Sequence, residues 1–378
     1  MLRAALLDDA RGRAAWEQWT ALPPAPLSPE ERQLAPTLFQ ALTRRGITDS
    51  ALGVFQPFAQ QAWVTYHANG VVAAQVLGNL HAAGFATLVL KGAALIPTYY
   101  RDPAARRSGD IDVAVPEAAL FAAWDLLEAA GWRAVGTDQR HFDARFMHAA
   151  QLVDGMGHSL DLHCHVLSMS CDAGADAPFW DAAVPFDLGG VATRMLCGTD
   201  QLLHICAHGQ IWAYVQPVRW VADAALILRA ETIDWTRLLR LARERRVTLF
   251  VAAALDELVR TLDVALPPDV LTELRAAPTN AVDRLLFTSW SRNSNGRPIR
   301  RAQWILARFL RGTSGLGPLG RLRRVRAFMR FWLVQDSWLA LLRRLAFKAW
   351  RQITIRLGAG DPYGPSRELL NALTQKTE

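Results

Sequence analysis

Lysine is almost missing from this sequence. Only Lys91, Lys348 and Lys376 stand among 42 basic residues, and arginine supplies the rest. With arginine as the default cation, a lysine marks a position that wants a compact ammonium rather than a planar fork, or falls there by chance. Cysteine is scarce as well. Cys164, Cys171, Cys197 and Cys206 form no CxxC pair and no zinc spacing, which argues against a disulfide scaffold or a zinc ribbon and leaves reduced, buried thiols. Long apolar runs are lacking too. Val247 to Leu255 is broken well short of the roughly 18 residues a membrane span needs. Asp8 and Asp9 interrupt the N-terminus before a signal peptide could form, so the expected location is cytoplasmic. No repeat of fixed period and no RNA-binding motif is found.

Acid is what one region lacks. Between Arg297 and Arg356 there are fifteen Arg or Lys against Asp336 alone, a local excess in a chain whose net charge is +7. In 321–333, Leu322, Val325, Met329, Trp332 and Leu333 fall on one helical face, with Arg323, Arg326 and Arg330 on another. Arg343, Arg344, Lys348 and Arg351 continue that pattern. Three readings stay open for the 297–356 segment: packing with a solvated basic face, contact with an anionic membrane surface, or contact with nucleic acid. A peripheral membrane position follows from the second.

What is present is a globular composition. Apolar residues make up 51% of 378 and charged ones 20%, enough for a sizeable core and for more than one domain. Helical spacing covers 1–84, with Ser28-Pro29-Glu30-Glu31 as a helix start and Gln56 to Ala83 as a long helix closed by Gly84. The period then changes. Ala86 to Leu90 reads as a buried strand, Lys91-Gly92 opens a helix kinked at Pro97, and Asp110 to Val115 alternates as a strand with one wet face. A hairpin follows, 146–153 and 158–167 around Asp154 to Gly157, and a second pair, 183–188 and 191–196, around Gly189-Gly190. From Thr199 onward the pattern is helical, with Gly312 to Gly320 as the clearest linker. The expected class is α+β: a small mixed sheet flanked by N-terminal helices and a larger helical C-terminal region. The expected divisions are 1–84, 85–196, 197–311 and 312–378.

Chemistry concentrates in the sheet. In Asp110-Ile111-Asp112, strand geometry aims both carboxylates to one side, roughly 6 to 7 Å apart. Such a pair repels itself unless a cation sits between, and Mg²⁺ suits oxygen donors. Ser108-Gly109 lets the backbone approach a ligand. In His158 to His165, alternation places Ser159, Asp161, His163 and His165 on one face. If this strand lies beside Asp110 to Val115, Asp161 completes a cluster of three acids. His148, His163 and His165 invite a metal reading, but hydrogen-bonded packing is the commoner role for strand-borne histidines.

Leu90-Lys91-Gly92-Ala93, Arg106, Gly109-Asp110-Ile111-Asp112-Val113 and Leu160-Asp161-Leu162-His163 together resemble the uncharacterised nucleotidyltransferase family of the DNA polymerase β superfamily. Asp200 to His204, His208, Arg219-Trp220 with Asp223, and Asp234-Trp235 extend the likeness, which covers roughly 85–245. Lys91-Gly92-Ala93 stands where the wider superfamily carries Gly-Ser. The resemblance implies a nucleotidyltransferase core, with Asp110, Asp112 and Asp161 as catalytic metal ligands for two Mg²⁺ ions, Mn²⁺ being the alternative. It implies an NTP donor and an unidentified acceptor. Lys91, Gly92, Arg106, Ser108 and Gly109 would contact the nucleotide. Lys91 could instead snorkel from a strand end, and Arg106 with Arg107 could be a solvated pair. Asp223 and His208 are expected to hydrogen-bond between helices. Acceptors open to such an enzyme are a small molecule, a glycan or a peptide, or else a nucleic acid. An inactive nucleotide-binding scaffold is the remaining class.

Overall fold

The computed structural model describes residues 1–333 apart from 24, 137, 138, 140, 141, 211–217 and 291–297. Residues 1–321 form one compact unit, and the described residues from 322 onward belong to a second. Four helices come first: α1 (Leu2–Leu6), α2 (Ala10–Thr20), α3 (Pro29–Arg44) and α4 (Gln56–Ala82). Helix α3 starts where its sequence says. Ser28 Oγ accepts from Glu31 N and the Glu31 carboxylate accepts from Ser28 N, so two otherwise orphaned N–H groups are satisfied reciprocally. After α4 the chain reverses at Gly84, whose φ of +81° is comfortable only for glycine.

Strand β1 (Leu88–Val89), helix α5 (Lys91–Leu95), strand β2 (Ile111–Ala114), helix α6 (Leu120–Ala129) and strands β3 (Arg133–Ala134), β4 (Ala149–Val153) and β5 (Ser159–His163) follow. After α7 (Ala177–Asp181), the hairpin β6 (Val184–Leu188) and β7 (Val191–Met195) completes a seven-stranded sheet ordered β3-β4-β5-β2-β1-β7-β6. The sheet is mixed: β2–β5 and β1–β7 are parallel, the other pairs antiparallel. Helices α8 (Gly198–Gly209), α9 (Arg219–Ala230), α10 (Trp235–Glu244), α11 (Thr248–Leu262), α12 (Val270–Ala276), α13 (Ala281–Trp290), α14 (Pro298–Gly312) and α15 (Pro318–Leu333) finish the described chain. The fold is therefore α+β, a small mixed sheet between helical N- and C-terminal parts.

Alternation along the central strands divides the interior in two. Val89, Ile111, Val113, Leu160 and Leu162 join Leu77 and Trp124 in one core. Leu88, Leu90 and Ala114 face the other, built largely from α8 to α11. Strand β2 has no wet face, contrary to its polar–apolar alternation: Ile111 to Ala114 are all buried. Helix α5 packs on β2, and His204 and His208 of α8 come near enough to feel Asp112, neither of which the strand's own pattern encodes.

The Pro97 region also differs in kind. Instead of a simple kink, Ile96–Tyr100 is a π-helical turn, closed by Arg101 N donating to Ile96 O at 2.8 Å. The linker expected at Gly312 to Gly320 shrinks to the residues between α14 and α15. Gly312 is the last residue of α14, and a Cβ there would lie 2.5 Å from a Phe146 ring carbon. It is glycine for close packing and not for freedom.

Part of the basic segment is structural. Arg308 and Arg311 on α14 are buried. Arg308 donates to the carbonyls of Phe146 and Ser168, and Arg311 to those of Arg245 and Arg246. Within 322–333, Leu322 is 69% exposed, although its spacing put it on the apolar face. Arg343, Arg344, Lys348 and Arg351 lie outside the described residues. Among the described residues no helix is long and apolar enough to cross a membrane.

Candidate metal and nucleotide site

Pairing of β2 with β5 sets Asp112 directly opposite Asp161, and Ala114 opposite His163. Because side chains alternate, Asp112, Asp161 and His163 emerge on the same side of the sheet, away from the Val113–Leu162 core. On the far flank, Leu90 N donates to Asp112 O at 3.0 Å, which extends the β1–β2 ladder and brings the next residue, Lys91, alongside. Lys91 adopts φ +46°, a left-handed conformation uncommon for a side-chain-bearing residue and frequent at functional sites.

The four side chains make one cluster. Lys91 Nζ donates to Asp112 Oδ1 at 2.6 Å, and His163 Nε2 lies 3.0 Å from the same oxygen. One ligand atom each from Asp112, Asp161 and His163 falls within 4.8 Å of the others. Asp112 is 1% exposed, and its second oxygen Oδ2 is buried with no hydrogen-bond partner. An orphaned carboxylate oxygen at this depth is costly unless something positive reaches it. The donor set fits a divalent cation.

Electrostatics follow from burial. Burial opposes the charge on Asp112, but Lys91 and His163 overcome it and hold the carboxyl far below its usual range. For Lys91, burial favours loss of the proton, yet Asp112, Asp161 and Asp110 keep the ammonium's pKa above its ordinary value. Asp161 moves the other way: burial, then the neighbouring charge of Asp112, raise it. Two carboxylates and one ammonium thus leave surplus negative charge on the Asp161 side.

Asp110 stands just before β2, half-buried. Its charge acts on Lys91 and on Arg106, but it does not belong to the group whose ligand atoms converge. Ser108 is buried, Asn69 Nδ2 donates to its carbonyl at 3.4 Å, and Gly109 is exposed. A Cβ on Gly109 would meet no atom within 4 Å, whereas one on Gly92 would lie 2.2 Å from Ser108 Oγ and 2.7 Å from Arg106 Nη1. Gly92 therefore lets α5 sit against the 106–108 segment.

Arg106 is buried and held by an ion pair. It is no solvated pair with Arg107. Its Nε and Nη2 donate to Asp223 at 2.7 and 2.9 Å, and Tyr100 Oη donates to the same carboxylate at 2.7 Å. Asp223, on α9, thereby joins that helix to the π-helical turn, as expected of it, and also ties it to the segment entering β2. The π turn delivers Tyr100 to that bond. Asp223 could not be identified beforehand as Arg106's partner, since 117 residues separate the two.

A wall of buried polar side chains adjoins the cluster. Both ring nitrogens of His204 and both amide atoms of Gln201, on α8, are buried without partners. Burial, with the nearby Lys91 and His163, pushes His204 down to about 3. Burial likewise holds His148 and His208 well below the ordinary value. The His148 and His163 rings meet edge-on at 5.2 Å, and His165 Nδ1 lies 3.7 Å from Asp176. Sequence spacing places these histidines on helices and strands, but does not reveal that His163 touches Asp112.

No curated protein matches the chain. Among solved structures, an antigenic nucleotidyltransferase-like protein from Paracoccidioides brasiliensis is similar at 15% identity and a TM-score of 0.34, with 56% of this chain and 94% of that one covered. The model of a family described as uncharacterised nucleotidyltransferase matches residues 30–277. That stretch holds every residue of the Lys91–Asp112–Asp161–His163 cluster and the Arg106–Asp223 pair, and it is well over half of the sequence: the chain belongs to the uncharacterised nucleotidyltransferase family.

Proposed function

We propose that this protein transfers a nucleoside monophosphate from an NTP to an acceptor hydroxyl on a small molecule, glycan or peptide, the acceptor oxygen attacking the α-phosphorus and pyrophosphate leaving, in a reaction that depends on a divalent metal. The observation that carries the reading is the register of β2 and β5, which sets Asp112 beside Asp161 with a partnerless carboxylate oxygen between sheet and helices. Asp112 and Asp161 hold the metal, and Asp110 at the strand mouth is the carboxylate left for a second ion. A divalent ion held by Asp112 and Asp161 would supply Lewis-acid neutralisation of the phosphate charge. Lys91 is placed to exchange its bond with Asp112 for one to a phosphate oxygen. Gly109, open on its side-chain face, lets backbone approach the nucleotide. Arg106, with two of its nitrogens bonded to Asp223, acts by fixing the 106–109 segment. Asp161 faces the acceptor side and accepts or shares the hydroxyl proton. The NTP and the acceptor are the proposed partners. Contact of the 297–356 segment with an anionic membrane or a nucleic acid would localise the enzyme without altering this chemistry.

Calorimetric titration of each NTP, with and without Mg²⁺, beside Asp112→Asn tests the reading. Binding that needs both metal and Asp112 is expected, and it would name the donor. Absence of binding by any NTP under both conditions would remove the proposal and leave a scaffold.

A further inference from the structure

We infer that His163 is itself a metal ligand, so that the centre offers one imidazole nitrogen and two carboxylates and selects a first-row transition dication, such as Mn²⁺, over Mg²⁺. The inference deepens the nucleotidyltransferase reading by naming the class of ion, and it rests on that reading for the purpose of the site.

Both nitrogens of His163 face acceptors. Nε2 lies 3.0 Å from Asp112 Oδ1 and Nδ1 lies 3.3 Å from the His165 carbonyl oxygen. With Nε2 turned to a cation held between it and the two carboxylates, whose ligand atoms lie within 4.8 Å of it, Nδ1–H is left to donate to the His165 carbonyl, the outer bond that metal-bound histidines usually make. The ring is fully buried and braced by His148, so its position is preset. Asp112 Oδ2, buried and unpartnered, is a second atom that such a cation would satisfy.

The donor set decides the ion. Mg²⁺ takes oxygen ligands and keeps much of its water, while an imidazole nitrogen favours transition dications. Asp110, the oxygen donor that would complete an all-carboxylate site, lies outside the converging group.

The test uses the full-length, metal-free protein. Mn²⁺ and Mg²⁺ affinities would be measured by loss of the free Mn²⁺ electron paramagnetic signal and by competition, for wild type and for His163→Asn. Pulsed resonance would look for ¹⁴N coupling to the bound Mn²⁺, and each NTP would be titrated into the same samples. Wild type should bind Mn²⁺ at least about tenfold tighter than Mg²⁺, with ¹⁴N coupling. His163→Asn should lose about tenfold or more for Mn²⁺ and far less for Mg²⁺. The ¹⁴N measurement on wild type needs no variant to fold. Mn²⁺ that fails to bind, or binds without nitrogen coupling, overturns the inference. Intact NTP binding in that case leaves the transferase reading standing. Nitrogen-coupled Mn²⁺ without NTP binding supports the ligand assignment and removes the transferase reading instead.

Discussion

The Lys91 ammonium and the His163 imidazole converge on one oxygen of Asp112, at 2.6 and 3.0 Å, while the other oxygen of that carboxylate bonds to nothing. This asymmetry gives the site its character. One side of Asp112 is anchored by the protein and the other is left for what binds. Lys91 is only 13% exposed, so its charge depends on Asp112 as much as the reverse.

Lys91→Met removes the only lysine in the matched region and strands the Asp112 carboxylate. Breaking a buried pair costs about 3–5 kcal/mol, so the melting temperature should fall sharply in chelator. Saturating divalent cation should restore much of it, because a ligand that binds the native state alone stabilises it by mass action. Equal loss with and without metal in thermal scans would show that no cation takes the ammonium's place.

Asp223→Asn should destabilise by about 3–5 kcal/mol, since Arg106 would keep a buried charge without its counter-ion. Burial disfavours the Arg106 charge, but Asp223 more than compensates and holds the guanidinium protonated. At temperatures where the variant is folded, NTP affinity should change by less than about threefold, roughly 0.6 kcal/mol. A large drop in NTP affinity at full folding would mean that Arg106 contacts the triphosphate after all.

Gly92→Ala and Gly109→Ala separate packing from access. The first places a methyl 2.2 Å from Ser108 Oγ, and overpacking of this kind costs about 1–3 kcal/mol. Ser108→Gly should recover part of that loss. The second meets no neighbour and should leave urea midpoints unchanged while weakening NTP binding. Matched stability losses in the two variants would contradict the geometry.

Acid should unfold the protein early. His204, held near 3 by burial and by the nearby Lys91 ammonium, stays neutral in the native state while the unfolded chain takes up a proton below about 6.5. A depressed histidine contributes stability that is complete above the unfolded value and declines as pH falls toward the folded one. The slope is about 1.4 kcal/mol per pH unit for each such group, and His148 and His208 are shifted in the same direction. Urea midpoints at pH 7.5 and 5 should differ strongly in wild type and less in His204→Gln. An unchanged difference would remove His204 from the account.

Local chemistry made much of this legible before any coordinates. The Ser28 cap, the Gly84 stop, the Gly189-Gly190 hairpin and the alternation around Asp112 and Asp161 are all short-range signals, and each structural element lies where its signal stands. The burial of Asp112 was not legible, because no strand pattern records that α5 packs on β2 or that His204 and His208 of α8 lie near enough to feel Asp112. The Arg106–Asp223 bond and the contact between His163 and Asp112 were hidden for the same reason. Sequence spacing reports which residues share a face, but not which face another element will cover.

The order in which the site is tied together has a consequence for how it is made. Lys91 and Asp112 are 21 residues apart, Asp112 and His163 are 51 apart, and Arg106 and Asp223 are 117 apart. Closing each successive loop costs more chain entropy, though only logarithmically. On a ribosome the ammonium–carboxylate contact can therefore close first, the parallel strand that supplies Asp161 second, and the strut from α9 last. The counter-charge that Asp112 can reach by the shortest loop is thus its own lysine, and the strut to α9 is the contact that spans the longest stretch of chain.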